Sequence, residues 1–164
     1  MAGVDALVEQ GLADPERLGC GGWSQGGFMT AWIVGQTDRF KAGVMGAGVS
    51  DWGMMIASSD VPSYEKLMGG GNPYESAGPH SFDKQSPISY VHNAKTPTLI
   101  LHGENDERVP LSQGIFFHRG LRAYGVPTEL VIYPREPHGI GERNHQLDLL
   151  RRVADWYKKW IPVD

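Results

Sequence analysis

Apolar positions along the chain follow two spacings that alternate with each other. Short runs rich in small or apolar residues predict strands over 17–22, 41–49, 98–102 and 129–133. Apolar residues at helical spacing predict helices over 2–11, 26–36, 111–124 and 142–160. The last predicted helix places Leu147, Leu150, Val153, Tyr157 and Trp160 along one side. Because strands alternate with helices, we predict an α/β fold with a mostly parallel sheet of about four strands, sandwiched by helices.

The middle of the chain, residues 50–95, has a less regular pattern. Short helical spacings near 64–68 and 86–92 are separated by three consecutive glycines at 69–71 and by several prolines. Neither an internal repeat nor a low-complexity linker divides the sequence. The length of 164 residues suits one domain. We therefore expect a single domain over residues 1–164 with an irregular connecting segment at 50–95.

Charge and composition narrow the class of protein. The net charge of −4 argues against a nucleic-acid partner, because domains that bind phosphate backbones usually present a basic face. No segment approaches the roughly 20 apolar residues of a membrane span, and Asp5 and Glu9 interrupt any signal-like run at the start. The single cysteine, Cys20, fits a reducing compartment. These features predict a cytoplasmic protein that binds neither nucleic acid nor membranes.

A candidate nucleophile lies where the first predicted strand meets a helix. Residues 22–27 read Gly-Trp-Ser-Gln-Gly-Gly and contain the G-x-S-x-G pattern around Ser24. Small residues two before and two after the serine, Gly22 and Gly26, would let strand and helix approach each other. The helix start would offer the Gln25 N–H to a developing oxyanion. The pattern alone does not exclude an ordinary glycine-rich turn.

Two later loops supply matching partners for this serine. Asp106 follows the predicted strand at 98–102, and His138 follows the strand at 129–133. In α/β hydrolases the catalytic residues occur in the order serine, acid, histidine. Since the carboxyl ends of parallel strands share one sheet edge, the three side chains should converge there. We therefore predict a triad of Ser24, Asp106 and His138.

Other residues are weaker candidates for these roles. His80 and His92 precede the acid loop, His118 and His145 lie in predicted helices, and His102 ends a strand, where it would support the acid loop. Glu104 and Glu107 share the acid loop, but the shorter Asp106 side chain suits a rigid bond to an imidazole, and the two glutamates should be solvated or paired with Arg108. No pair of histidines has metal-ligand spacing, so we predict no metal and no cofactor.

These motifs resemble the prolyl oligopeptidase family, especially its acylaminoacyl-peptidase and dipeptidyl-peptidase branches. The similarity covers the nucleophile region with its trailing Phe-Met-Thr, the acid loop at 102–110, the histidine loop at 133–139, and the segments 72–74 and 86–88. One departure is Gln25, where the family commonly has an aromatic residue. The change preserves the backbone N–H. The resemblance implies an α/β-hydrolase fold and makes Trp52 and Val109 candidate walls of an acyl pocket, although both could be ordinary core residues.

The resemblance also implies that the chain is incomplete. A complete domain of this kind has several strands before the nucleophile and an upstream loop with a second oxyanion donor. We therefore expect a truncated fold, either a C-terminal fragment or a naturally short version. The strand at 17–22 would then be a sheet edge with unpaired backbone groups, which predicts a homodimer through that edge.

The residues and the resemblance together predict a serine hydrolase that forms an acyl-enzyme with a small acyl-ester or peptide substrate. A short-chain carboxylesterase is the first interpretation, because an incomplete oxyanion site favours activated substrates. An acylaminoacyl- or oligopeptidase catalytic domain is the alternative. A third possibility is an incomplete fragment that acts only with a partner chain or serves as an interaction piece.

Overall fold

A computed structural model describes residues 1–63, 68, 72, 74 and 81–161 of the chain. Its strands are β1 (Gly19–Trp23), β2 (Ala42–Gly46), β3 (Thr98–Gly103) and β4 (Thr128–Tyr133). The helices are α1 (Ala2–Glu9), α2 (Gln25–Val34), α3 (Trp52–Ser58), α4 (Ser81–Gln85), α5 (Ser112–Ala123) and α6 (Arg143–Trp160). Short 3₁₀ helices span Pro15–Arg17 and Pro87–Asn93.

The four strands form one sheet in the order β1-β2-β3-β4, and every pair is parallel. Each connection therefore returns to the starting end of the sheet, and all strand carboxyl ends lie at one edge. The predicted α/β class with about four parallel strands is confirmed. Loops that follow the strands can meet at this edge, and the chemistry predicted above lies on those loops.

Helices cover both faces of the sheet. Alternate residues along each strand point to opposite faces, so Met45 and Ile100 pack against α2 and α5 on one side. Val44, Leu99 and Leu101 pack on the other side with Trp156 of α6. This burial on both faces explains why β2 and β3 lack alternating exposed polar residues, since neither face reaches water.

The buried side of α6 agrees with the predicted one in part, since Val153, Tyr157 and Trp160 pack against the core. Leu147 and Leu150 were expected to face the core, but their side chains are 42% and 63% exposed. Trp156 is buried instead, and Leu149 and Val153 pack beside it. The apolar residues of α6 cover more than one stripe, so periodicity alone did not choose the side that the sheet contacts. No helix within the described ranges has both the length and the apolar character to cross a membrane.

The connecting segment contains more helix than the sequence indicated. Helix α3 begins after Asp51, whose carboxylate accepts a hydrogen bond from the Met54 N–H at 2.7 Å, and it was not predicted. The helix predicted over 86–92 is the 3₁₀ helix Pro87–Asn93, which has Pro87 in its first turn. The helical spacing at 64–68 lies outside the described residues, Met68 excepted.

Strand β1 lies at one edge of the sheet, as predicted, and α6 packs closely against it. The Tyr157 hydroxyl donates to the Cys20 carbonyl at 3.0 Å, and a side chain at Gly19 would approach the Tyr157 ring to 2.8 Å. Glycine at this position therefore lets the helix lie on the strand. Burial raises the pKa of the Cys20 thiol to about 12, so the thiol stays protonated and packs as a small apolar group.

Candidate active site

Ser24 occupies a sharp turn between β1 and α2. Its backbone has φ 59° and ψ −116°, a region that residues with a side chain rarely adopt. The Ser24 N–H donates to the Gly46 carbonyl of the neighbouring strand at 2.9 Å, which anchors the turn to the sheet. This is the geometry of a nucleophile elbow, in which the strained turn raises the serine hydroxyl above the strand ends.

Two glycines give the turn its close contacts. A Cβ on Gly22 would approach the Gly26 backbone to 2.7 Å, and a Cβ on Gly27 would overlap the Gly46 carbonyl oxygen. A Cβ on Gly26 would meet no atom within 4 Å. The expectation that Gly22 and Gly26 both provide clearance therefore holds for Gly22, whereas the second tight position is Gly27. Gly22 lies close to the Gly26 backbone, but a side chain at position 26 would point into open space.

The three predicted side chains form one hydrogen-bonded chain. The Ser24 hydroxyl lies 2.8 Å from His138 Nε2, and His138 Nδ1 lies 2.8 Å from Asp106 Oδ2. An anionic Asp106 accepts the Nδ1–H, which leaves Nε2 free to accept the serine proton. Asp106 is 5% exposed, and its other oxygen accepts the Val109 N–H at 2.9 Å. The carboxylate therefore has little freedom to turn away from the imidazole.

His102, on strand β3, supports the acid loop through a hydrogen bond to its backbone. Its side chain is fully buried, and Nε2 lies 2.8 Å from the Val109 carbonyl oxygen. Burial lowers the pKa of His102 and favours the neutral ring, which donates through Nε2–H. The supporting role predicted for this histidine agrees with these contacts. The acid loop is thus held at Val109 from two directions, by His102 and by Asp106.

The two glutamates of the acid loop lie away from His138. Glu104 and Glu107 are exposed, as predicted, and Glu104 accepts the Arg135 N–H at 2.9 Å. Arg108 pairs with Asp60 at 2.7 Å, an interaction that sequence reasoning did not anticipate. Asp106 is thus the acid-loop carboxylate that the structure brings to the imidazole.

A cavity of about 570 Å³ opens beside the serine. Ser24, Gln25 and His138 line one side, and Val49, Trp52, Met55, Val61, Arg108 and Val109 complete the lining. Trp52 and Val109 are each 3% exposed and also belong to an apolar cluster with Phe82. They are therefore core residues whose outer surfaces face the cavity. Sequence reasoning missed Met55, whose spacing from Trp52 on a helix capped by Asp51 was an available signal.

Gln25 is the first residue of α2 and faces the same cavity. The first N–H groups of a helix have no partner within the helix, and the helix dipole adds positive potential at this end. Its backbone N–H is therefore available to an oxygen that develops negative charge beside Ser24. The exposed Gln25 side chain is not needed for this contact, since the donor is the backbone.

Comparison with known proteins places these residues in a family. The model of the prolyl oligopeptidase family matches residues 1–163. The chain belongs to the prolyl oligopeptidase family. The family resemblance seen in the sequence motifs is confirmed.

Individual relatives of the family match almost the whole chain. It is 37% identical over 165 residues to the uncharacterized peptidase YuxL of Bacillus subtilis, covering 98% of this chain and 25% of that protein. It is 32% identical to an acylamino-acid-releasing enzyme of Arabidopsis thaliana, covering 98% of this chain and 22% of that protein. The chain therefore spans about a quarter of the length of these relatives.

A solved structure of the family has the same fold. The acylaminoacyl peptidase of Pyrococcus horikoshii superposes with a TM-score of 0.89 at 32% identity, covering 96% of this chain and 26% of that one. The parallel sheet and its flanking helices are thus those of an α/β-hydrolase domain in this prolyl oligopeptidase family member.

Glu136 is a site residue of this family member that sequence reasoning missed. It lies two residues before His138 and is 3% exposed. Its carboxylate accepts the Gly141 N–H at 2.7 Å, the Glu142 N–H at 2.8 Å and the His145 Nδ1–H at 2.8 Å. The loop that bears His138 is thus closed around a buried acid. A lone glutamate beside prolines carried no signal for this role, because its donors are backbone groups supplied by the fold.

The same region holds a group of potential metal ligands among the described residues. Glu136, Glu142 and His145 bring one ligand atom each within 4.8 Å of one another. Both Glu136 oxygens already accept backbone N–H groups, and Glu142 forms a salt bridge with Arg135 at 2.8 Å. These contacts account for the carboxylates as structural groups. The absence of a bound metal stays a prediction from the sequence.

We expect Glu136→Gln to destabilise the fold at neutral pH and to weaken its acid dependence. Hydrogen bonding from Gly141, the leading cause, lowers the folded-state pKa of Glu136 below its usual range. A lowered folded-state pKa stabilises the protein above the unfolded-state value of about 4.3, and this contribution is lost as pH falls through the folded-state pKa. Urea unfolding midpoints at about pH 7, 5, 4 and 3 would measure the effect.

Glu9→Gln, at an exposed position of α1, is the matched control. Its midpoint should follow that of the parent protein at every pH, whereas the gap between parent and Glu136→Gln should narrow as pH falls. A gap of constant size across the series would contradict the assignment.

Proposed function

We propose that this chain carries the catalytic centre of a serine peptidase that works through an acyl-enzyme. One observation supports the proposal most strongly: Ser24, His138 and Asp106 form an unbroken hydrogen-bonded chain with two distances of 2.8 Å. The serine is raised on a strained turn beside the start of a helix, and Ser24 and His138 both line a cavity. Such an arrangement suits nucleophilic attack on an acyl carbonyl.

Each proposed role follows from position. His138 Nε2 takes the Ser24 proton as Oγ attacks the carbonyl carbon, and Asp106 holds the ring and stabilises its charged form. The Gln25 N–H donates to the oxygen that becomes negative. The His138 ring then gives its proton to the leaving amine, and a water activated by the same ring releases the acyl group.

The proposed substrates are peptides, including those with a blocked amino terminus. Relatives at 32% identity are described as an acylamino-acid-releasing enzyme and an acylaminoacyl peptidase, and the 37% identical relative is also described as a peptidase. These comparisons favour the peptidase alternative over the short-chain carboxylesterase that the sequence first suggested. The apolar walls formed by Val49, Met55 and Val109 suit an apolar side chain next to the scissile bond.

Labelling and turnover together test this proposal. The purified chain would be treated with a fluorophosphonate and digested for mass spectrometry, and assayed with p-nitrophenyl acetate and acetyl-alanyl p-nitroanilide. We expect one phosphonyl group on Ser24 and ester turnover that the label abolishes. One missing oxyanion donor costs about 10²–10³ in rate. If Gln25 is the sole donor, the rate of anilide hydrolysis should therefore fall more than that of ester hydrolysis, because the ester is the more activated substrate.

The outcomes separate the three functions. Anilide cleavage supports a self-sufficient peptidase, and ester turnover without anilide cleavage supports the esterase interpretation. Label on Ser24 without turnover supports an incomplete centre that needs a partner chain. An unlabelled Ser24 in the folded protein would contradict the proposal, because an activated serine oxygen attacks the phosphorus of this probe and displaces fluoride.

The domain and its location belong to the same proposal. We propose that residues 1–164 belong to a single catalytic domain, because apolar clusters on both sheet faces are built from elements spread over the chain. A cytoplasmic location is supported by the single cysteine.

We also propose a homodimer through the β1 edge. Beside this edge, Trp23, Ile140, Leu149 and Leu150 form an apolar surface, and Leu150 is 63% exposed. Unpaired strand groups next to an apolar surface favour association. Sedimentation at micromolar concentration should give twice the mass of the chain, and Leu150→Lys should lower the mass toward that of the monomer.

Tyr124→Lys is the control for the dimer. Tyr124 is 60% exposed but follows α5, which contacts β4 at the opposite edge of the sheet. This variant should keep the mass of the parent. A parent protein that sediments as a monomer would rule out the proposed dimer.

A further inference from the structure

Trp23 connects the turn that holds the serine with the loop that holds the histidine. Its indole Nε1–H donates to the backbone carbonyl oxygen of His138 at 2.8 Å, across 115 positions of sequence. Trp23 directly precedes Ser24, so the same short segment carries the nucleophile and a donor to the base. This contact is separate from the imidazole bonds to Ser24 and Asp106.

The indole ring has little room to move. Trp23 lies opposite Gly46 in the β1–β2 pair, and a Cβ on Gly46 would overlap the six-membered part of the indole. The ring therefore occupies the space that a side chain at Gly46 would fill. Its outer part contributes to the apolar surface with Ile140 and Leu149. Because the indole is held in place, its Nε1–H restrains the position of the His138 carbonyl oxygen.

Other hydrogen bonds also hold the histidine loop, but they involve residues on either side of His138. On the amino-terminal side, the Glu136 carbonyl accepts the Asn105 N–H at 2.9 Å. On the carboxyl-terminal side, the Glu136 carboxylate accepts the Gly141 and Glu142 N–H groups. The Trp23 bond holds the main chain at His138 itself, where displacement would move the ring relative to Ser24.

We infer that Trp23 is a positioning residue for the catalytic base, acting through the His138 carbonyl. This inference rests on the proposed function of the triad. The indole holds the His138 main chain while Asp106 holds its ring, so the Nε2 lone pair stays directed at the Ser24 hydroxyl. Small misplacements of reacting groups slow a reaction even when substrate binding is unchanged.

Two variants remove the donor while keeping an apolar side chain. Trp23→Phe removes the indole N–H, and 3-benzothienylalanine introduced at position 23 preserves the bicyclic shape with sulfur in place of N–H. With p-nitrophenyl acetate, we expect kcat to fall about tenfold in both, with KM within about twofold of the parent, since the loss lies in alignment and not in binding.

Trp160→Phe is the matched control. The Trp160 Nε1 is buried without a hydrogen-bond partner among the described residues, so its removal takes away an indole but no such contact. This variant should keep the kcat of the parent. Thermal unfolding of all variants would identify any loss of activity that merely follows loss of fold, and the benzothienyl variant answers the question if Trp23→Phe does not fold.

A proton NMR measurement makes the test independent of turnover. The His138 Nδ1–H signal, protected by Asp106, should broaden in both Trp23 variants and persist in Trp160→Phe. An unchanged signal together with kcat within twofold of the parent would overturn the role of Trp23. Labelling of Ser24 tests the proposed function separately. If the parent shows no turnover, the NMR comparison alone decides whether Trp23 positions His138.

Discussion

Ser24→Ala should lower kcat/KM for p-nitrophenyl acetate by roughly 10⁵-fold, equivalent to about 7 kcal/mol of transition-state stabilisation. The variant loses the atom that forms the acyl-enzyme, and water must then attack directly. The Ser24 Oγ lies 2.8 Å from the base, so no other hydroxyl of the described residues replaces it at this hydrogen bond. Residual rate should come from substrate binding and from the Gln25 N–H alone.

The design of this experiment uses the coupling between serine and histidine. Removing His138 should cost about as much as removing Ser24, and the Ser24→Ala, His138→Ala double variant should lose no more than either single variant, because the two groups act as a unit. Ser112→Ala, at an exposed position at the start of α5, is the control and should keep full activity. Additive losses in the double variant would contradict a shared mechanism.

Gly27→Ala should destabilise the fold by about 3 kcal/mol, because the added methyl group has no room. The added Cβ would overlap the Gly46 carbonyl oxygen and lie 2.8 Å from the Gly48 Cα. Both are backbone atoms, so relief requires α2 to move away from β2. The same movement would displace Ser24, whose N–H is bound to the Gly46 carbonyl.

Gly26→Ala is the internal control for this prediction. A Cβ at Gly26 would lie in open space, and the residue is within helix α2, where alanine is favoured over glycine by up to about 1 kcal/mol. Urea unfolding should therefore show Gly26→Ala equal to or more stable than the parent, next to a strongly destabilised Gly27→Ala. Equal effects at the two neighbouring glycines would contradict the packing of the turn.

Much of the architecture was readable from the sequence, since the relevant signals are local. The apolar run at β3 predicted a strand buried on both faces, and parallel pairing follows from alternation of strands with helices. Parallel strands also bring their following loops to one edge. Chain order and loop position were therefore enough to nominate Asp106 and His138 as partners of Ser24, and the structure brings all three within hydrogen-bonding distance.

Other features depended on which surfaces the fold brings together. Leu150 and Trp156 are both apolar residues of α6, yet only Trp156 is buried, because the choice depends on where the helix crosses the sheet. Gly26 and Gly27 are adjacent and identical in type, but Gly27 alone faces the backbone of the next strand. Spacing along the chain cannot distinguish residues whose difference lies in a neighbour from a distant segment.

The sequence by itself determined the fold class and the three candidate catalytic residues, because repeating hydrophobicity and the order of loops encode them locally. The tertiary structure alone decided what holds those residues in place. The Glu136 carboxylate finds its backbone donors and the Trp23 indole finds the His138 carbonyl only after the loops have closed. Backbone groups have the same chemistry at every position, so the sequence carries no mark of which ones a side chain will meet.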